Sequence, residues 1–272
     1  MQEARRKWKR IRNRLWSISR TNFAICISTI LKTRFAALIN TEGTEGTKGQ
    51  WSRARKAVIV GLALQVGLLA DLVENDPEGA EFLSRDLEQL NAALLEQGLP
   101  SHSEPRDLAP FTDRSKIIGY PYSFLHRLCR VFAHVIREPG WEATPAAEDY
   151  SAEADTLVAD ESLEFRSHLL VHSDCDGFYV PIDFEEPIFA DDKMRGGGII
   201  GSSQRLFNEL VLIAPNLGIR LESDHSLSDA EAQRISELIE AEVPLSVELI
   251  VWFTFYEAAR LSIELKSVIC FC

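Results

Sequence analysis

The chain has 272 residues, which is room for one large domain or two small ones. Its hydrophobic content of 46% is typical of a globular chain, and no apolar run is long enough to cross a membrane. The formal net charge of −12 is unevenly divided, because residues 1–57 hold fourteen Lys and Arg against three acids and the remainder carries −23. Such an acidic body excludes nucleic acid as its partner, because nucleic acid is bound through phosphate neutralisation, and favours a basic protein partner.

Cysteine usage indicates a reducing compartment. The count is odd, and no regular spacing links the residues, so a complete disulfide framework is not expected. We therefore predict a cytoplasmic protein. The cysteines are Cys26, Cys129, Cys175, Cys270 and Cys272.

The N-terminal stretch, residues 1–56, is basic and lacks the periodicity of a packed element. Three interpretations stay open: a dispensable extension, a basic interaction arm, or a targeting signal built around the apolar run 23–31. We expect residues 57–272 to form an acidic globular domain by themselves.

The globular part begins with "AVIVGLALQVGLLADLVEND", which is either a strand running into a helix or one buried helix; the β-branched start favours the strand. Asp76 and Pro77 then provide an N-cap and a first-turn proline for a helix that ends at Gly98. The apolar positions of this helix recur at helical spacing: Phe82, Leu83, Leu87, Leu90 and Leu94.

A second helix is predicted in "YSFLHRLCRVFAHVIREPG", after a proline-rich loop. Its polar face is basic through Arg127, Arg130 and Arg137. The acidic stretch 142–160 is typical of a solvated loop, and we expect these arginines to pair with its residues 146–160. An anion or partner contact is the alternative.

Two β runs follow, "SHLLVHS" and "GFYVPID", with Asp176 and Gly177 between them. Because glycine accepts the positive φ of tight turns, this pattern predicts a hairpin near residues 167–184. The glycine-rich "RGGGIIGSS" then predicts a loop before a helix capped by Ser202 or Ser203, and it lacks the lysine of a phosphate-binding P-loop.

The C-terminal part is predicted to be helical. Ser228 and Glu231 form a capping-box pattern that opens one helix. The next, "PLSVELIVWFTFYEAARLSIELK", is apolar over most of its surface and is expected to be the central buried helix. With a last strand in "SVICFC", the chain is predicted to be a helix-rich α+β single domain with a small antiparallel sheet.

The most chemically loaded stretch is "HSDCDGFYVPIDF", residues 172–184. As a hairpin turn, it needs its aspartates only for local hydrogen bonds to the backbone. A pairing of Cys175 with His172 for catalysis lacks an oxyanion hole. Candidate binding residues in this stretch are His172, Ser173, Asp174, Cys175, Asp176, Gly177, Tyr179 and Asp183.

A divalent metal is the alternative occupant of this stretch. Counted from Gly177 as position six of a calcium loop, Asp174 and Asp176 fall at positions three and five and Asp183 at twelve. His172 then stands at position one, where it is a poor ligand for a hard cation. The alternative metal set is His172, Asp174, Asp176 and Asp183.

The string "LLVHSDCDG" resembles a strand-and-turn signature of some bacterial polymorphic-toxin immunity proteins, in which a leucine-rich helix follows, as "RLFNELVLI" does here. The rest of the chain looks like an uncharacterised bacterial family. The resemblance implies a cytoplasmic inhibitor that binds a cognate toxin and needs neither catalytic residues nor a cofactor.

Two hypotheses about function follow from the sequence. The first is a non-enzymatic cytoplasmic binding protein, immunity-like, that contacts a protein partner through its acidic surface. The second is a metal-binding protein or metal-dependent hydrolase centred on residues 172–183. The absence of a catalytic signature and the acidic body favour the first.

Overall fold

The structure is a computed structural model that describes residues 61–147, 150–173, 175–190, 194 and 197–272. The predicted basic extension, residues 1–56, lies outside the described residues, and so does Asp174. Residues Leu62–Phe271 form one compact unit.

Seven α-helices are found in the described part of the chain, at the places where apolar spacing and capping residues predict most of them. The predicted N-caps form: the side chain of Asp76 accepts from Gly79 N at 3.1 Å, and those of Ser202 and Ser228 accept from the third residue beyond at 3.3 Å. The helices are α1 (Leu68–Asn75), α2 (Pro77–Glu96), α3 (Ser123–Arg137), α4 (Thr156–Ser162), α5 (Ser203–Ile213), α6 (Asp229–Glu240) and α7 (Ser246–Leu265).

The sheet has five short strands in the order β1-β5-β2-β4-β3. The chain is therefore α+β, as predicted, but the sheet is mixed and not wholly antiparallel, because β2 and β4 run parallel. A parallel pair needs a crossover connection, which here contains β3. The strands are β1 (Leu64–Val66), β2 (Phe178–Val180), β3 (Ile188–Phe189), β4 (Ile199–Ser202) and β5 (Ile269–Phe271).

Helix α7 is the centre of the fold, as its all-round apolar sequence predicts. It packs against α3, α5, α6 and β1. Trp252, Phe253, Phe255 and Tyr256 are each 0% exposed. The indole N–H of Trp252 donates to Leu210 O at 2.8 Å, which satisfies the polar atom of the largest buried side chain.

The predicted hairpin near 167–184 is wrong. Its first run is not a strand, because Leu170–His172 form a 3-10 helix. The carboxylate of Glu209 on α5 caps this turn, accepting from Ser167 Oγ, His168 N and Leu169 N at 3.0, 2.8 and 2.8 Å. A partner forty residues away thus selects a helical turn over a strand.

Two further sequence expectations need correction. The glycine-rich stretch is not all loop, since Ile199–Ser202 form β4 and pair with β2 and β3. The stretch 142–160 is not all solvated loop, because Asp155 accepts from Leu157 N and Val158 N and caps helix α4.

Candidate functional site

His172, the first residue of the loaded stretch, belongs to the hydrophobic core. Its side chain is completely buried, and its ring stacks on Tyr179 and Phe271 with centroid distances of 4.1 and 5.7 Å. Its Nδ1 donates to the carbonyl oxygen of His168 at 2.9 Å. Burial lowers the pKa of His172 to about 3, so the ring is neutral at pH 7.

The neighbouring residues of the stretch are packed just as tightly. Gly177 has a φ of 100°, and a Cβ there would lie 2.2 Å from Ile199 O. Tyr179 is completely buried and its hydroxyl donates to His168 O at 2.9 Å. Cys175 is buried and Ser173 half-buried. These residues therefore shape the interior and offer little to a partner.

The two aspartates of the alternative metal set that the structure describes are engaged in different places. Asp176 accepts from Gly177 N at 3.0 Å, against Gly197. Asp183 is exposed and forms a two-pronged ion pair with Arg205 at 2.6 and 3.2 Å. Within the described ranges, no group of three or more His, Cys, Asp or Glu residues could hold a metal ion.

The acidic surface is the largest chemical feature that the described residues show. They include 33 Asp and Glu against 13 Lys and Arg. Twenty-two of these carboxylate side chains are exposed, and 15 of the exposed ones form no ion pair with any other described residue. Most of the surface charge is therefore uncompensated.

The predicted pairing of the α3 arginines with residues 146–160 is not found among the described residues. Arg137 pairs instead with Glu161, just beyond that stretch, and it is His134 that pairs with Asp155, at 3.0 Å. Arg130 donates to Thr144 O at 2.8 Å, and its guanidinium lies 5.3 Å from the ring centroid of Trp141. Arg130 and Arg137 are therefore engaged within the chain.

Two helices present rows of exposed carboxylates. We call the first group the α2 strip; it lies on α2 and the last turn of α1. One of its members, Glu81, pairs with Arg85 at 3.5 Å. The second group, the α6 strip, lies on α6 and its flanking loops. The α2 strip is Glu74, Glu78, Glu81, Glu88 and Glu96, and the α6 strip is Glu222, Asp224, Asp229, Glu237, Glu240 and Glu242.

Several carboxylates of the two strips lie at the C-terminal end of a helix, where negative charge is least favourable. Glu74, Glu96, Glu237 and Glu240 lie in the last turn of α1, α2 or α6, and none of these last turns contains a basic residue. Because the C-terminal end of a helix carries partial negative charge, carboxylates there oppose the helix dipole. Helix stability therefore does not account for this placement.

Buried ion pairs hold the start of α6 in position. Glu257 on α7 is completely buried and accepts from Arg114 and Arg260. Burial acts against its charge, but hydrogen bonds from the two arginines prevail and lower the pKa of Glu257. Arg114 also donates to Leu227 O at 2.7 Å and to Asp229 Oδ1 at 3.2 Å.

Sequence reasoning missed both strips although their signal was available. It used the apolar positions of α2 and α6 to find the helices and left the opposite positions aside. On α2 the acids at 78, 81, 88 and 96 fall on the face opposite the buried leucines. Reading the polar face of each predicted helix would have located them.

Comparison with known proteins gives one match. Residues 60–271 match the family described as "Putative DNA-mimic protein", which is a non-enzymatic, protein-binding kind of function. No curated protein and no solved structure matches the chain. None of the described helices is long and apolar enough to cross a membrane.

Proposed function

Because the chain belongs to this family of DNA-mimic proteins, we propose that it binds a DNA-binding protein on the surface that otherwise contacts DNA. Its carboxylates would take the place of backbone phosphates, which supply most of the affinity of such surfaces for DNA. The partner is accordingly a basic protein, and the chain acts as a competitor of DNA.

The observation that carries the proposal is the uncompensated charge of the two strips. Like charges kept close together on a surface cost free energy in the free protein. The cost is recovered when a cationic surface covers them. Their position at helix C-termini increases that cost, so a role outside the isolated fold explains them better than stability does.

The spacing of the charges sets an expectation for binding strength. Helix α6 has 12 residues and is therefore about 18 Å long. Duplex DNA carries one charge per about 1.7 Å of its axis, or about ten over that length. Only three carboxylates of the α6 strip, Asp229, Glu237 and Glu240, lie on the helix itself, so we expect affinity to depend less steeply on salt than the affinity of the same partner for DNA.

The α6 strip is also preorganised. Arg114 connects the loop before α6, through Leu227 O, to the buried Glu257 of the central helix. A carboxylate row held by such contacts loses little conformational entropy on binding. This rigidity favours recognition of one surface geometry over loose attraction to any polycation.

The immunity-like role stays a prediction. It is the special case in which the DNA-binding protein is a toxin that acts on DNA. A cytoplasmic location likewise stays a prediction from the cysteine usage.

The test is release of proteins from DNA. Lysate of the source organism is loaded on immobilised random-sequence duplex DNA, and the resin is washed with the full-length chain. We expect specific DNA-binding proteins to elute at micromolar concentrations, and we expect labelled duplex not to bind the chain itself. A purified eluted protein then gives the affinity by competition with labelled duplex.

A matched pair of variants locates the site. Glu237→Gln, Glu240→Gln and Glu242→Gln together should weaken release about tenfold or more, because several charge contacts are lost. The control, Glu138→Gln, Glu142→Gln and Asp160→Asn, changes net charge equally on other elements and should release like wild type. Equal loss in both triple variants would mean that net charge alone acts, and no release by wild type would refute mimicry.

A further inference from the structure

A pair of aromatic rings, one exposed and one half-buried, lies at one edge of the sheet. Phe189 is on β3, the last strand in the sheet order, and its side chain is 39% exposed. The ring of Phe165 meets it edge to face, with centroids 5.6 Å apart and an interplanar angle of 88°. Strand β3 pairs only with β4 among the described strands, so its other edge is free.

The backbone around the two rings is held in place. Phe165 has a φ of 56°, a left-handed conformation that is costly for a residue with a large side chain. The segment before β3 is fixed by His168, whose Nδ1 accepts from Ser202 N and whose Nε2 donates to Glu185 O at 3.2 Å. The aromatic pair is thus part of the rigid fold.

Acidic residues flank the two phenylalanines in the sequence. We call the whole group the β3 patch: Phe165, Phe189, Glu164, Asp183, Glu185 and Glu186, all four acids being exposed. Glu164 pairs with Arg137 and Asp183 with Arg205, whereas Glu185 and Glu186 form no ion pair with the described residues. Arg166, next to Phe165 in sequence, is exposed. The patch therefore combines two aromatic rings with two carboxylates, Glu185 and Glu186, which we call its rim and which no described cation neutralises.

We propose that the β3 patch is an apolar anchor of the surface that the DNA-binding partner covers, and that it takes an aliphatic or aromatic side chain framed by Lys or Arg. This inference rests on the proposed function. The charge of the rim selects a basic protein segment and repels nucleic acid and anionic lipid. Aromatic side chains in partly exposed pockets ringed by polar groups are typical of the residues that dominate interface affinity.

The anchor supplies what the strips lack. Carboxylates attract a cationic surface over long distances, but salt screens that attraction and any polycation shares it. A buried aromatic contact is insensitive to salt and acts mainly on the rate of dissociation. Together they explain how a mimic can hold one DNA-binding protein among many.

The experiment measures the concentration of full-length chain that releases half of the protein retained on immobilised duplex DNA. It is carried out at about 50 and about 200 mM salt. Phe189→Thr removes the ring and puts in its place a β-branched residue, which suits a strand. We expect about tenfold more of this variant to be needed at both salt concentrations. Glu185→Gln with Glu186→Gln should weaken release mainly at the lower salt.

The matched control is Ile118→Thr, which removes a side chain that is 87% exposed elsewhere on the chain. It should release like wild type. Phe189→Leu keeps apolar bulk in case the threonine variant unfolds, and should need about threefold more protein. If wild type releases protein and both Phe189 variants match it, the anchor is refuted while mimicry stands. If wild type releases nothing, both fail.

Discussion

The stretch 172–183 and the α6 strip are opposites in chemistry and in placement. The first combines histidine, cysteine, aspartate and glycine, yet His172 and Tyr179 are completely buried within the core. The second contains only carboxylates as its defining groups, yet they are exposed and largely without counter-ions. In this protein the chemically varied residues are largely buried, whereas the exposed surface repeats one kind of group, the carboxylate.

This difference teaches where to seek function in a chain without a catalytic pattern. The histidine packs against two aromatic rings and is part of the core. Glu237 and Glu240, by contrast, oppose the dipole of α6, and neither forms an ion pair with any described residue. The comparison predicts that changes in the stretch reduce stability, whereas changes in the strip reduce binding and increase stability.

The largest expected effect is on the aromatic cluster that encloses the stretch. Phe255 is completely buried and contacts Tyr179 and Phe271 at centroid distances of 6.4 and 6.3 Å. Phe255→Ala should cost about 3–5 kcal/mol in the free energy of unfolding by urea, through lost contacts and a cavity. Phe111→Ala, at a ring 42% exposed, is the control and should cost far less. Near-equal costs would show that the cluster is not the core.

Gly177→Ala comes next. The new methyl group would meet Ile199 O at 2.2 Å in addition to the strain of a φ of 100°. We expect a loss of about 3 kcal/mol, in which strain at positive φ accounts for about 1 kcal/mol. Gly140→Ala isolates that strain, because Gly140 has a φ of 85° and a methyl group added there would have no neighbour within 4 Å among the described residues. Equal losses at the two glycines would contradict the close approach to β4.

The sequence predicted the helices well because their signals are local. Apolar spacing and the side chains of Asp76, Ser202 and Ser228 determine where α2, α5 and α6 begin. It failed at residues 167–173, where "SHLLVHS" has β character but the carboxylate of Glu209 caps a helical turn. A contact between residues forty positions apart cannot be recognised from the local sequence. For this reason neither this turn nor the parallel pairing of β2 with β4 could be predicted.

The sequence predicted the negative sign of the surface charge but not the positions of the uncompensated carboxylates. Net charge alone favours a basic partner, and this much the sequence showed. Which carboxylates are uncompensated depends on ion pairs such as Arg137 with Glu161 and Arg114 with Glu257, which join separate elements. Only the folded chain distinguishes paired carboxylates such as Glu161 and Glu257 from the unpaired ones of the α6 strip.

Acid should weaken the fold through His172. Burial holds its pKa at about 3 in the folded chain, whereas an unfolded histidine titrates near its ordinary value of 6.5. Below that value the unfolded state takes up the proton first, so stability is lost as the pH falls. From pH 7 to pH 5, His172 should account for about 2 kcal/mol.

The measurement is a difference between two chains. His172→Phe keeps an aromatic ring packed against Tyr179 and Phe271 and removes the titrating group. Urea unfolding of both proteins at pH 7 and pH 5 cancels the other titrating groups, including Glu209, whose burial raises its pKa to about 7 and acts in the opposite direction. If both chains lose stability equally between these pH values, His172 is not held neutral by the core.

The smallest effect has the opposite sign and separates the two regions most clearly. Glu237→Gln, Glu240→Gln and Glu242→Gln together remove repulsion at the C-terminal end of α6, where no basic residue offsets the helix dipole. We expect unfolding by urea to become harder by about 0.5–1 kcal/mol at low salt. The gain should disappear at high salt, because exposed charges are then screened. The same triple variant should fail to release proteins from DNA, so a more stable protein would be a poorer competitor. If neutralisation instead lowers stability at low salt, the carboxylates serve the fold, and the strip loses its distinction from the stretch 172–183.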